Sequence, residues 1–283
     1  MMVNLYQTIP EPLTERTLFS WHHMLLRGRH HVGNIGDYRT HTESMQIVSG
    51  LDYARKIYFE APPSSQIPKE MTTFLTWFKQ TATHTTNALP ALTRAGIAHL
   101  WFESIHPFED GNGRIGRAIA EKALGQGSTN LNITILAQTL LKRHKEYYQA
   151  LGAASKTMDS TTWLLWFATV AIEAQRNTLA YIDFIIHKTE LLDKIRGQLN
   201  PRQDKTLLRL FKEGPDGFIG GLSASNYMQI TQATSATTTR DLNDLVKKHV
   251  LIRHGTRKAT RYFLNIKTTP VKKVILEDIH LPQ

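Results

Sequence analysis

A histidine, a carboxylate, two glycines flanking an asparagine and two arginines follow one another in the stretch His106-Pro107-Phe108-Glu109-Asp110-Gly111-Asn112-Gly113-Arg114-Ile115-Gly116-Arg117. Together these types supply what phosphate chemistry needs. A helix starting at Asn112 or Gly113 presents N–H groups without intrahelical partners and with partial positive charge, so it attracts phosphate. Gly111 and Gly113 let the backbone turn sharply and approach an anion with no Cβ in the way. Asn112 can brace that turn through its amide, and Ile115 and Gly116 belong to the same first turn. Arg114 and Arg117 share one helix face, from which two guanidinium forks can clamp phosphate oxygens. Asp110 is a hard oxygen ligand placed where Mg²⁺ would bridge phosphates. His106 titrates near neutral pH and can take a proton from an incoming hydroxyl. The stretch reads as a device for holding a nucleoside triphosphate while it is attacked.

Gly111, Gly113 and Gly116 also fit the spacing of a dinucleotide-binding turn, but that turn must follow a hydrophobic strand. Here a helical pattern, Pro90 to Ser104, precedes it, with Leu92, Ala95, Ala98, Leu100 and Phe102 apolar. The remaining elements follow from periodicity. Thr14 to Arg27 is helical, with Leu18, Met24 and Leu25 at apolar spacing, and Gly28 to Gly36 is a connection rich in glycine and histidine. Ser44 to Val48 and Lys56 to Phe59 form a short hairpin that Pro62-Pro63 ends. Pro68 opens a helix with Met71, Phe74, Leu75 and Phe78 on one face. Two or three helices follow the central stretch, with Trp163, Trp166 and Phe167 facing a core. Tyr147-Tyr148 suits either a core or a site. His22-His23 and His30-His31 lack partners at metal-ligand spacing and read as surface or helix-end residues.

After Asn200-Pro201 the pattern changes. Lys205–Lys212, Ser223–Ile230 and Ser235–Lys248 read as short helices, and Leu251–Arg253 and Arg261–Leu264 alternate as strands. Helix-turn-helix followed by a hairpin is a winged-helix arrangement. From Asn200 to Gln283, Lys and Arg number 14 against 7 Asp and Glu, so most of the chain's net charge of +10 lies there. Basic residues Arg240, Arg253, Arg257, Lys258 and Arg261, beside Thr237, Thr238 and Thr239, suit DNA phosphates. Protein binding or packing against the rest of the chain are the alternatives. With 283 residues, 41% hydrophobic and no cysteine, the composition is globular and excludes disulfides and thiolate sites. No apolar run reaches the length of a membrane span, and no secretory leader is visible, so a cytoplasmic protein is expected.

The central stretch resembles the signature of Fic domains, His-Pro-Phe-x-Asp-Gly-Asn-Gly-Arg-x-x-Arg, at every position. Gly36-Asp37-Tyr38-Arg39 resembles the segment before that family's β-hairpin flap, Tyr58-Phe59-Glu60-Ala61-Pro62-Pro63 its end, and Leu100-Trp101-Phe102-Glu103-Ser104-Ile105 the approach to the signature. The resemblance implies a mainly α fold: a Fic-type helical core with a small hairpin flap (about 44–60) over residues 1–196, then a winged helix over 197–283. It implies transfer of AMP from ATP, with Mg²⁺, to a Ser, Thr or Tyr hydroxyl of a target protein and of the chain itself, releasing pyrophosphate. In that scheme His106 is the base and Asp110 holds the metal. Gly111 to Gly113 cradle the phosphates, Arg114 and Arg117 hold the leaving pyrophosphate, and Tyr147 and Tyr148 line the adenosine site. The target would dock at the flap, and self-association into a homodimer is left open. A DNA-binding regulator that senses nucleotide, or an enzyme using another phosphate-containing donor, are the rival readings. Inhibition in this family runs through Ser/Thr-x-x-x-Glu-Gly/Asn. Only Thr169…Glu173 has that spacing, and Ala174 follows it, so inhibition is expected to be missing or supplied in trans.

Overall fold

Apolar faces at helical spacing dominate the chain, and the computed structural model, which describes residues 1–29, 32–41, 45–49, 56–127, 135–157 and 159–278, is accordingly mostly helix. The elements are α1 (Met2–Gln7), α2 (Glu15–Leu26), β1 (Gln46–Ser49), β2 (Lys56–Glu60), α3 (Ile67–Gln80), α4 (Ala91–Ile105), α5 (Asn112–Gln126), α6 (Leu136–Lys142), α7 (His144–Thr157) and α8 (Thr161–Lys194). After them come α9 (Pro201–Phe211), α10 (Ala224–Thr231), α11 (Ser235–Lys247), β3 (Leu251–His254) and β4 (Arg261–Leu264). None of the described helices is long and apolar enough to cross a membrane. By packing, the chain divides into Met1–Gln175 with Lys273–Gln283, and Arg176–Lys272. The sequence reading puts its boundary at 196/197, just before the pattern changes at Asn200-Pro201, and the packing division lies within α8.

The first unit is built around the α4–α5 pair. Phe74 and Phe78 of α3, Phe102 of α4, Ile115 and Ile119 of α5 and Trp163 and Phe167 of α8 bury fully or nearly so in one core. On α2 the inward face is Leu18, Trp21, His22 and Leu26, capped at its start by the Thr14 hydroxyl, which accepts from the Thr17 N–H at 3.2 Å. Met24, expected inside, is 46% exposed. Helix α1 lies in a stretch the sequence left unassigned. Its Leu5 is buried, and Asn4 accepts from the Trp21 indole N–H at 2.8 Å. β1 and β2 pair antiparallel, with an irregularity between Ile47 and Val48. Ser44, the hairpin turn at 50–55, His30 and His31 lie outside the described residues.

The second unit has its own core, including Leu207, Leu210, Leu222, Tyr227, Leu242, Leu245 and Tyr262. Pro201 opens α9 rather than ending the preceding segment. Asn200 caps it in a capping box with Gln203, and proline at the first helical position needs no N–H there. β3 and β4 pair antiparallel after three short helices. Asp241 ties the helices together. It accepts from Arg202 Nε (2.8 Å), Asn200 Nδ2 (3.0 Å) and the Tyr227 hydroxyl (2.9 Å). Burial pushes its carboxyl up, but the hydrogen bonds from Arg202, Tyr227 and Asn200 outweigh that and leave it below the ordinary value. Stability from such a depressed carboxylate is present above its unfolded pKa and is lost as pH falls through the folded one. Asp241→Ala is expected to cost the second unit about 2–4 kcal/mol, because three donors lose a buried acceptor. Hydrogen exchange in the full chain checks this: the amides of α9–α11 should exchange faster while those of α4 and α5 do not.

Candidate functional site

Helix α4 must stop before Pro107, since the residue ahead of a proline is pushed out of helical backbone. It stops at His106, which adopts left-handed backbone (φ 50°), its N–H donating to the Phe102 carbonyl at 3.0 Å. Five residues later Gly111 is also left-handed (φ 86°) and starts α5. Between them the loop is held from inside. Asn112 is buried, and its amide donates to the Phe108 carbonyl (2.7 Å) and accepts from the Phe108 N–H (3.0 Å). Phe108 is fully buried, stacked on the His22 ring at a centroid distance of 4.2 Å. The bracing read into Asn112 is thus seen directly, and Phe108 anchors the loop in the core.

His106 Nδ1 lies 3.3 Å from the Glu103 carbonyl. A carbonyl only accepts, so Nδ1 carries the hydrogen and Nε2 keeps its lone pair. Burial, with the Arg39 charge nearby, pushes the imidazole down to about 4, although the Glu103 bond works against this. It is therefore neutral and able to accept a proton at physiological pH. His106 lines a cavity of about 220 Å³ together with Glu103, Asp110, Gly111, Gly113, Arg117 and Tyr147. Tyr148 also reaches its wall, and a second hollow of about 310 Å³ opens across Arg117, Tyr147 and Tyr148 towards Gln138 and His144. Of the tyrosine pair that the sequence left between core and site, Tyr147 is 7% exposed and bonded to His99, and Tyr148 is 44% exposed.

Not every expected residue faces this cavity. Ile115 turns into the core, and its N–H is spent on the Gly111 carbonyl at 3.0 Å. Arg114 pairs with Asp110 at 3.2 Å instead of standing beside Arg117 over the cavity wall. Gly116 sits beneath the cavity, where a Cβ would come within 2.5 Å of Glu103 Oε1. Asp110 also faces Arg29 at 3.7 Å, and its Oδ1 accepts from the Gly111 N–H at 2.6 Å. Among the described residues no three His, Cys, Asp or Glu side chains gather as a metal cage. Asp110 is thus a single hard carboxylate at the rim. That fits Mg²⁺, which keeps most of its shell as water and substrate phosphate.

Three residues that hold this site carry little sequence signal. His22, expected at the surface, is fully buried; its Nε2 meets the Asp110 carbonyl (3.1 Å) and its Nδ1 the Gly36 N–H (2.8 Å). Only its place between Leu18 and Leu26 on an apolar helix face could have pointed to this. Arg39, 1% exposed, donates from Nε to the His106 carbonyl at 2.8 Å. Glu103 is a lone carboxylate on the buried face of α4, one turn before His106. Glu173 does not reach Arg117. It pairs with Arg143 at 3.2 Å and accepts from the Val274 N–H at 3.1 Å.

The sequence model of the Fic/DOC family matches residues 12–124. A probable protein adenylyltransferase of Aquifex aeolicus (strain VF5) is 29% identical over 98 residues, which are 35% of this chain and 27% of that protein, so the match spans about a quarter of the relative's length. The fold is similar to that of a Fic family protein from Desulfovibrio desulfuricans G20, with a TM-score of 0.52 and 24% identity over 95% of this chain and 74% of that one. A Fic domain containing signaling protein from Bacteroides thetaiotaomicron aligns with a TM-score of 0.48 and 19% identity over 61% of this chain and 65% of that one.

Proposed function

From the premise that residues 12–124 carry a Fic/DOC-family domain, we propose that this chain transfers AMP from ATP to a hydroxyl side chain of a target protein. The observation that carries the reading is the free Nε2 lone pair of a neutral His106 on the wall of a cavity it shares with a glycine-flanked helix start and Arg117. The triphosphate lies at the start of α5, its outer phosphates against Arg117, and the nucleoside extends past Tyr147 and Tyr148 into the second hollow. Mg²⁺ held by Asp110 would supply charge neutralisation on the phosphates. Arg114, paired with Asp110, steadies that carboxylate. The target oxygen attacks the α-phosphorus, its proton passes to His106 Nε2, and the bond to the β-phosphate oxygen breaks to release pyrophosphate. Positioning and charge stabilisation provide most of the acceleration. The target segment pairs by strand addition with the hairpin of β1 and β2, in the cytoplasm where ATP and Mg²⁺ are available.

Intact-mass spectrometry of the purified chain with Mg²⁺ and ATP, alone and with candidate targets, tests this. One added AMP on wild type and none on His106→Ala is expected. ATP binding with no transfer to any hydroxyl-bearing protein would sink the reading. A second reading rests on the second unit, which we take to be a winged helix. Arg240 of α11 and Arg253, Arg257 and Lys258 of the β3–β4 hairpin are all exposed, as a DNA-binding face requires. Salt-dependent DNA binding that survives His106→Ala would favour a regulator that uses the first unit to sense nucleotide.

A further inference from the structure

Glu103 is out of place among its neighbours. It is 4% exposed on a helix whose buried face is otherwise mostly apolar, and its Oε1 is fully buried with no hydrogen-bond partner. Yet it lines the nucleotide cavity. The carboxyl lies against the first turns of α5, where the positions a Cβ would take on Gly116 and Gly113 are 2.5 and 3.9 Å from Oε1. Gly116 is therefore needed for it to sit there. Arg117 approaches the same helix turn, with Nη1 3.2 Å from the Gly113 Cβ position. Among the described residues Arg117 forms no ion pair. A buried, unpaired carboxyl pointing into an anion site conflicts with the ligand that site is built for, unless it gives up its charge.

We propose that Glu103 is a positioning residue that answers the phosphate chain with a proton: ionised, it draws Arg117 towards the floor of the empty cavity, and protonated, it releases Arg117 to a bound polyphosphate. This rests on the reading of the cavity as a nucleotide site. The groups facing Glu103 fit the role. From its own helix, His99 is fully buried, kept neutral by burial and bonded to Tyr147, and His106 is neutral too. From α7, Tyr147 has its ionisation pushed far up by burial. Asp110 and Glu109 stand at the rim and add negative charge. Arg117 of α5 is the cation that opposes burial at Glu103, and between them the carboxyl is held up at about 7. An anion arriving above it, with Arg117 drawn away, raises it further, because a like charge disfavours the ionised form. Binding near neutral pH is thus coupled to uptake of a proton by Glu103. Affinity is greatest where Glu103 is already protonated and falls as pH rises between its free and bound values, by up to about tenfold per unit. The nucleotide's own titration works in the opposite direction, since its terminal phosphate loses its last proton near about pH 6 and binds a cationic site better once it has done so.

The test is calorimetry of Mg²⁺-ATP binding to the full chain at pH 6.5, 7.5 and 8.5 in buffers of different ionisation enthalpy, with wild type beside Glu103→Gln. Glutamine keeps the shape and cannot titrate. Wild type should take up more protons than Glu103→Gln at pH 7.5, and its affinity should fall towards pH 8.5 while that of Glu103→Gln does not. Equal proton uptake by two folded proteins would overturn the inference and leave the nucleotide site standing. Absence of ATP binding by wild type at every pH would remove the site itself. If Glu103→Gln does not fold, the wild-type series decides: an affinity that is flat or rises towards pH 8.5 rejects the coupling.

Discussion

Replacing His106 is expected to lower the proposed AMP transfer by roughly 10²–10⁴-fold and to leave nucleotide binding nearly intact. His106→Asn is the cleaner variant, since asparagine tolerates the left-handed backbone that alanine resists. The size of the effect follows from what the side chain alone provides. The Gly111–Gly113 turn, Arg117 and the tyrosine pair persist in the variant, so binding and charge stabilisation survive and only proton removal is lost. The pH dependence separates this from general damage. In the free protein the imidazole is held at about 4, so kcat/KM should show an acid limb well below neutral. In the complex the phosphates favour the imidazolium, so the acid limb of kcat lies at higher pH than that of kcat/KM. Residual transfer by His106→Asn should show neither limb. A variant that keeps the wild-type acid limb at reduced rate would mean that another group takes the proton. Glu103→Gln should leave both acid limbs in place and change only the neutral-to-alkaline dependence of binding.

The parts of this site that were legible in the sequence are those whose chemistry is local. The turn at Gly111, the brace from Asn112 and the helix opening beneath them depend on neighbours a few residues away, and their types and spacing show it. The apolar patterns of α3 and α4 were readable for the same reason. What stayed hidden depends on groups distant in sequence. Gly36 and Asp110 reach His22 from opposite sides only because α2 packs across the loop, and Arg39 meets a carbonyl 67 positions away. Arg114 and Arg117 share a face by periodicity, but a carboxylate four residues ahead of Arg114 takes it away from the cavity. Helix spacing sets which residues can meet, and competing partners decide which do.

Arg39 shows what that hidden layer contributes, and Arg39→Ala is expected to be the most damaging substitution outside the signature stretch. Its guanidinium donates from Nε to the His106 carbonyl (2.8 Å), from Nη1 to the Ser64 hydroxyl (2.8 Å) and from Nη2 to the Pro62 carbonyl (2.5 Å), while its own N–H reaches the Pro107 carbonyl (2.9 Å). One planar fork thus fixes the turn after α4 to the chain leaving β2. Alanine leaves three partly buried acceptors without this donor, each costing roughly 1–3 kcal/mol less what entering water recovers. A loss of about 3–5 kcal/mol follows, which in a chain of this size lowers the melting temperature by about 2–4 °C per kcal/mol. Because every partner is neutral, added salt should not change the loss, as it would for an exposed ion pair. Arg39→Lys should recover only part of it, since one compact ammonium cannot span three acceptors lying in different directions. The chemistry should change as well. With the tether to its carbonyl gone, His106 is free to leave its left-handed backbone. With the Arg39 charge gone, an imidazole that this charge had pushed down should titrate higher, moving the acid limb of kcat/KM upwards. Arg39→Ala that melted like wild type but lost activity would leave the tether as a purely electrostatic device. Loss of both together, with a raised acid limb in the remaining activity, identifies Arg39 as the residue that holds the base in place.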